Sequence, residues 1–581
     1  MPFYFCSLTL PAGSATWKRN ARSGDWNTKT NWTPAHVPNG SADTATFALS
    51  NTTDVSISAN TELNGVTFTS AATNPYTITT RSGFTLTISG AGITNNSGTT
   101  QNFLTAVDGT DNFGQISFIN SATAGLSIIY TNNGSATSFE HSGETLFFNT
   151  STAANGTFVN NGATVSGGFG GDTIFDDSST AGDGTFTNNG GAASGVAARG
   201  GGTTFFFGTS SAANGTFTNN AAPTGGAEGG LTAFGLDFFN FSPSAGNGTF
   251  INNGATISGA VGGETVFKNG STADAATLIA NGGINGGRGG GIFFEEESTG
   301  GTPRVEVFGN GFLDISGHLG PPASPSMPGL VTVGSIEGEG NVFLGRNNLT
   351  VGSNNMSTTF SGVIQNGGAN GGVAGSLTKI GSGTLDLTGV NTYTGNTNIN
   401  GGVLQVDGSI TSNTFVNHGG TLAGTGTVIG NVTNNRGGTV SPGDAPGTLT
   451  VNNYTQMSGS TLRIDIAGPN IGQFSVLNVL GSANINPNGL LLPVLQDGFV
   501  PTIGESFTFM NYSALTGTFF IFDRNIDNAM EHWDVIYQAN DAILMVASGN
   551  VPVPDRGSTF PLLMLILLGL GSSRHLLRKQ F

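Results

Sequence analysis

The chain has 581 residues, including 94 glycines and 41 phenylalanines, with only 9% charged residues and a formal net charge of −17 at pH 7. The 18 lysines and arginines form clusters only at the two ends and are otherwise scattered singly, so no basic stripe exists to neutralise phosphates, which argues against a nucleic-acid partner. So much glycine makes disorder the competing reading, but phenylalanine at regular positions argues against it, and the composition fits one long solenoid better than several globular domains.

Residues 1–15 are apolar, include the single cysteine Cys6 and end in Ala12-Gly13-Ser14-Ala15. This is the pattern of the second half of a secretory signal peptide without its positive start. Residues 16–50 are expected to form an N-terminal cap. Trp17, Trp26 and Trp32 fall within sixteen residues. They would cover the open end of the first coil, with sugar stacking as the alternative role. Period-two runs such as Val55-Ser56-Ile57-Ser58 and Phe84-Thr85-Leu86-Thr87-Ile88 then read as strands.

The segment 51–318 is built on two alternating phrases. One is Gly-Thr-Phe-x-Asn-Asn, at Gly156–Asn161, Gly184–Asn189, Gly215–Asn220 and Gly248–Asn253, with spacings of 28, 31 and 33 residues. The other ends in an aromatic after a glycine: Gly143–Phe147, Gly171–Phe175, Gly201–Phe205 and Gly263–Phe267, with Gly230–Phe234 as a weaker copy. A strand this short buries little alone, but stacking on its equivalent about 4.8 Å away pairs its backbone and aligns like side chains. The fold class is therefore all-β, a parallel β-helix or β-solenoid, right-handed by the crossover rule. The phenylalanines are expected to stack inside, and the asparagines to turn corners, because Asn and Gly tolerate positive φ.

A proline-rich seam at 319–330 precedes the segment 331–467. Here the run Leu377-Thr378-Lys379-Ile380-Gly381-Ser382-Gly383-Thr384-Leu385 leads to Asn391-Thr392-Tyr393-Thr394-Gly395 and then to Gly401-Gly402-Val403-Leu404. It resembles the autotransporter-associated β-strand repeat, in which these three phrases make up one coil. The opening segment with Trp26 and Trp32 is similar to the start of many secreted bacterial proteins that carry such repeats. The resemblance implies a surface-displayed β-helical stalk and no particular catalysis. Residues 468–548 read as terminal coils and a cap. An autotransporter would continue here with a β-barrel of several hundred residues, for which this chain has no room, so self-translocation is not expected.

The end, 549–581, is tripartite: Val553-Pro554-Asp555-Arg556-Gly557-Ser558-Thr559, an apolar run Phe560–Gly571, then Arg574, Arg578 and Lys579. It resembles the VPDSG-type C-terminal sorting domain, a relative of PEP-CTERM signals, with Arg556 where that family usually has Ser. The resemblance implies an exosortase-like membrane protease as a partner. By itself the apolar run predicts a short hydrophobic helix that meets the membrane, with its basic end held inside. A permanent anchor is the alternative.

Chemistry-bearing patterns are sparse. Gly167–Phe175 fits a calcium nonapeptide once, but its neighbours lack the aspartate, so no metal site is assigned. Asp176-Asp177 and Glu295-Glu296-Glu297 are read as solvated turns, and the six histidines share no ligand spacing. The sequence thus points to no cofactor and no enzymatic activity. It suggests an exported structural or adhesin-like rod that contacts extracellular polysaccharide or other cell surfaces. A polysaccharide-active lyase or glycosidase on a β-helix is the competing reading.

Overall fold

The computed structural model describes residues 13–549, apart from 109, 111, 139–140, 194–199, 237–241, 321–327, 445, 523–524 and 527–530. The sorting motif Val553–Thr559, the expected C-terminal helix and the basic end Arg574, Arg578 and Lys579 lie outside the described residues. Among the described residues no helix is long and apolar enough to cross a membrane.

The chain is all-β and winds into long parallel stacks, the architecture of a β-helix. One sheet of 15 strands runs from the N-terminal strands through Glu144–Phe147, Asp172–Phe175 and Thr203–Phe206 to Val363–Gln365. A second, longer stack runs from Asp54–Ile57 through Asn155–Asn160, Thr185–Asn188 and Thr216–Asn219 to Phe520–Ile521. In the first half the third side of each coil is a single-residue parallel bridge, stepping through Thr152, Thr180, Ser211, Ser244, Thr272 and Thr299. Both stacks continue across the proline-rich seam, and at its end Leu330–Val333 opens a third sheet of 9 strands. From Val390–Asn391 a fourth sheet, also of 9 strands, takes over from the first.

Period two decides what lies inside. Phe158, Phe186, Phe217 and Phe250 are fully buried and stack face to face with centroids 4.6–4.8 Å apart. A second ladder, Phe118, Phe147, Phe175, Phe206, Phe234, Phe267 and Phe294, stacks at 4.5–5.0 Å. The two ladders meet edge to face at 5.6–5.7 Å, the arrangement that ring quadrupoles favour. One copy of the second phrase falls a residue later than its sequence suggests. Phe175 pairs with Phe206, so Phe206 enters the ladder and Phe205 faces outward.

The first asparagine of each phrase does not turn a corner. Asn132, Asn160, Asn188, Asn219 and Asn252 are fully buried. Each of the first four donates its Nδ2 at 2.8 Å to the Oδ1 of the next. Each Oδ1 also accepts a threonine hydroxyl of the facing sheet, as Thr173 to Asn160 at 2.9 Å and Thr232 to Asn219 at 2.9 Å. Standing two residues after an inward phenylalanine, the amide must point inward too, and there the ladder satisfies it. The second asparagines form a parallel, half-buried ladder of 2.9–3.3 Å bonds through Asn133, Asn161, Asn189, Asn220, Asn253 and Asn281.

Both ends are closed. Trp17, Trp26 and Trp32 pack edge to face at 4.9 and 4.8 Å over Phe47, with their indole N–H groups bonded to backbone carbonyls. Buried there, they offer no face to a sugar. Ahead of the expected cap boundary, Ala15 already pairs with Ala45. At the other end Asp541–Ser548 pairs antiparallel with both Ser506–Asn511 and Glu531–Tyr537, turning a parallel edge into a hairpin.

Candidate functional site

The outer face of the 15-strand sheet carries two adjoining clefts. Where period two sends phenylalanine inward it sends the alternate residues outward, and between Leu231 and Phe343 many of these are apolar. Leu231, Ala233, Val266 and Phe293 floor a cleft of about 220 Å3, which continues at Phe293 into one of about 450 Å3 with Phe312 and Phe343. Gly291 makes this possible: a Cβ there would lie 2.7 Å from the Phe312 ring and 2.8 Å from the Phe293 ring. The outer rings meet edge to face, Phe293 with Phe312 at 5.3 Å and Phe312 with Phe343 at 6.1 Å, unlike the parallel rings inside.

The groove's carboxylates are individually accounted for. Asp314 accepts the backbone N–H groups of Ser316 at 2.8 Å and Ala369 at 2.7 Å, which ties the 366–375 loop down as a wall. Glu295 pairs with Lys268 at 2.7 Å. Burial, reinforced by the charge of Glu228, pushes the Glu264 carboxyl up to about 7, while Arg288 opposes the shift.

A second cleft, of about 550 Å3, opens on the neighbouring stack beside Glu337, Thr359, Asp386 and Gln405. Burial and the adjacent Asp407 push Asp386 above the usual carboxylate range. Burial also acts on Asp407, but bonds from Gln405 and from Thr425 outweigh it and hold that carboxyl low. Neither cleft was singled out in the sequence, because the residues of each come from separate coils. The acidic runs that were singled out sit in turns. Asp177 accepts the Asn149 N–H at 2.8 Å, and Glu296 accepts that of Asn269 at 3.2 Å, each linking one coil to the next.

The repeat residues 377–404 hold the coil rather than a ligand. Leu377, Leu385 and Leu404 are core. Lys379 is only 1% exposed, and its Nζ donates to the carbonyls of Ile380 at 2.6 Å and Gly401 at 3.4 Å. Burial pushes its ammonium down to about 8. Asn391 receives the Ile364 N–H at 2.9 Å, and Tyr393 bonds the Thr397 hydroxyl at 2.6 Å. Gly381 and Gly402 adopt φ of 70° and 60°. Alanine at Gly383 or Gly395 would meet a carbonyl oxygen at 2.2 or 2.4 Å, and Thr384 opens the strand Thr384–Leu387. The three phrases exceed one coil, however. Leu377 pairs with Thr397 and Leu385 with Leu404, so Gly402–Val406 already belongs to the coil above.

Ser298 and His318 come together, but His318 Nε2 meets the Ser298 carbonyl at 2.7 Å rather than its hydroxyl. They do not form a nucleophile and base.

Residues 377–406 match the family model described as the passenger-associated-transport-repeat. A stretch of 94 residues is 52% identical to an extracellular serine protease of Serratia marcescens, covering 16% of this chain and 9% of that protein. The chain thus carries autotransporter passenger-like repeats, and its match spans less than a tenth of the relative's length. The relative corrects the expectation of a chain without enzymatic activity. The stretch shared with a protease means that the structural role of the coil at 377–406 does not remove catalysis from the protein that carries it.

Proposed function

We propose that this chain is an exported β-helical passenger, a rod displayed on the cell surface or released from it, whose outer faces make adhesin-like contacts. The observation that carries the reading is the passenger repeat at 377–406, set in register within stacks that continue on both sides of it. A parallel β-helix suits export because each coil packs only on its neighbours and can form as the chain emerges, with no distant partner needed. Right-handed winding follows from the rule for parallel crossovers.

Delivery is assigned to the C-terminal tail. Val553–Thr559, the apolar run and the basic end would hold the precursor at the membrane, where an exosortase-like protease cuts it. Mass spectrometry of the protein from its native cells tests this. A new C-terminus between Val553 and Thr559 is expected. A chain intact through Phe581 contradicts sorting and leaves a permanent anchor.

A further inference from the structure

We propose that the outer groove running from Leu231 across Phe293 to Phe343 binds an extended, uncharged polysaccharide, with successive sugar units on successive coils. Outward residues of one column repeat at the strand separation of about 4.8 Å, comparable to the length of a single hexose in an extended chain. A polymer laid along the solenoid axis therefore meets equivalent surface at each step.

A pyranose ring has an apolar C–H face and a belt of hydroxyls. The groove offers partly exposed Phe293, Phe312 and Phe343 rings for the face. For the hydroxyls it offers the exposed Arg288 guanidinium and the Asn341 amide, whose Oδ1 already accepts from Gln365, while the Asn310 amide is held by Gly283 and Gly287 and shapes the rim; the result is an apolar floor with a few polar groups at its edge. Binding also needs little reorganisation, because the strands beneath are fixed by the Phe ladder and the 366–375 wall by Asp314.

Charge decides between neutral and acidic polymers. Asp314 accepts loop amides and shares its cleft with Arg288, whose charge opposes its own, and Glu295 is paired with Lys268. Burial pushes the Glu264 carboxyl, faced by Glu228, Arg288 and Glu295, up to about 7, which reduces its charge at neutral pH. The groove thus presents little net charge, while the chain as a whole, at −17, repels a polyanion. The proposal rests on export only for where such a polymer is encountered. Binding by the purified chain is measured without export, so the two readings fail separately.

Affinity electrophoresis of the purified full chain through gels containing hydroxyethyl cellulose, laminarin or polygalacturonate provides the test. Retardation is expected in at least one of the two neutral glucans and not in polygalacturonate. Phe312→Ala and Phe343→Ala, outward substitutions that leave the ladders intact, should each weaken retardation about tenfold, the factor that ~1.4 kcal/mol represents. Phe522→Ala, at an exposed aromatic far along the chain, should leave it unchanged. Stronger retardation by polygalacturonate, none by either glucan, or retardation unaffected by both groove substitutions in variants with unchanged circular dichroism would overturn the proposal.

Discussion

The buried asparagines show what a single position contributes. An amide inside a protein is costly unless its donors and acceptors are met. Asn188 meets them fully: it accepts from Asn160 and Thr204, and donates to Asn219 and to the Leu231 carbonyl. Asn252 does not. Its register partner on the next coil is Ala280, and its Nδ2 has no partner. Replacing Asn188 by alanine should therefore cost roughly 3 kcal/mol by stranding several buried groups, and Asn252→Ala clearly less. Urea denaturation of the two variants checks the order. The inward amide was legible in principle, since Asn160 lies two residues after Phe158 and alternation puts both on one face. The corner preference of asparagine masked it.

Lys379 adds a pH dependence. Unfolded, its ammonium titrates near 10.5; folded, burial lowers that to about 8. Between these values the unfolded chain binds more protons, so stability rises with pH across the window. Against Lys379→Met, which does not titrate, the wild-type melting temperature should gain between pH 7.5 and pH 10. A constant difference would show that the ammonium is not displaced.

At the scale of strands, the ladders carry the stability, because each phenylalanine packs on equivalents above and below. Phe186→Ala leaves a cavity between Phe158 and Phe217 and removes an edge contact to Phe175, so a loss of about 3–5 kcal/mol is expected. Thermal unfolding measures it. The strands and their period were readable from the repeated phrases, whereas register was not always so. In Gly201-Gly202-Thr203-Thr204-Phe205-Phe206 two phenylalanines compete, and only backbone pairing shows that Gly202, not Gly201, is the equivalent of Gly171. Gly202 is fixed because a Cβ there would lie 2.0 Å from the Asn160 carbonyl oxygen. The repeat at 377–406 hid its coil boundary for a related reason. Coils there take 18 to 20 residues, as in the step from Asp407 to Thr425, so a 30-residue motif spans more than one turn.

At the scale of the molecule, continuous stacking makes a rod. Its longest stack, at about 4.8 Å per coil, is roughly 85 Å long. The groove was the least legible part, because its floor and rims come from coils that the sequence separates by about thirty residues, so no local pattern announces them. Period two gave the needed hint, in that Phe293 and Phe312 fall out of phase with the buried phenylalanines. The central claim is that this rod stands outside the cell, and protease shaving of intact native cells tests it most directly. The account expects peptides from 51–548 to be released from intact cells or found already in the medium. Their protection until the cells are lysed would contradict it.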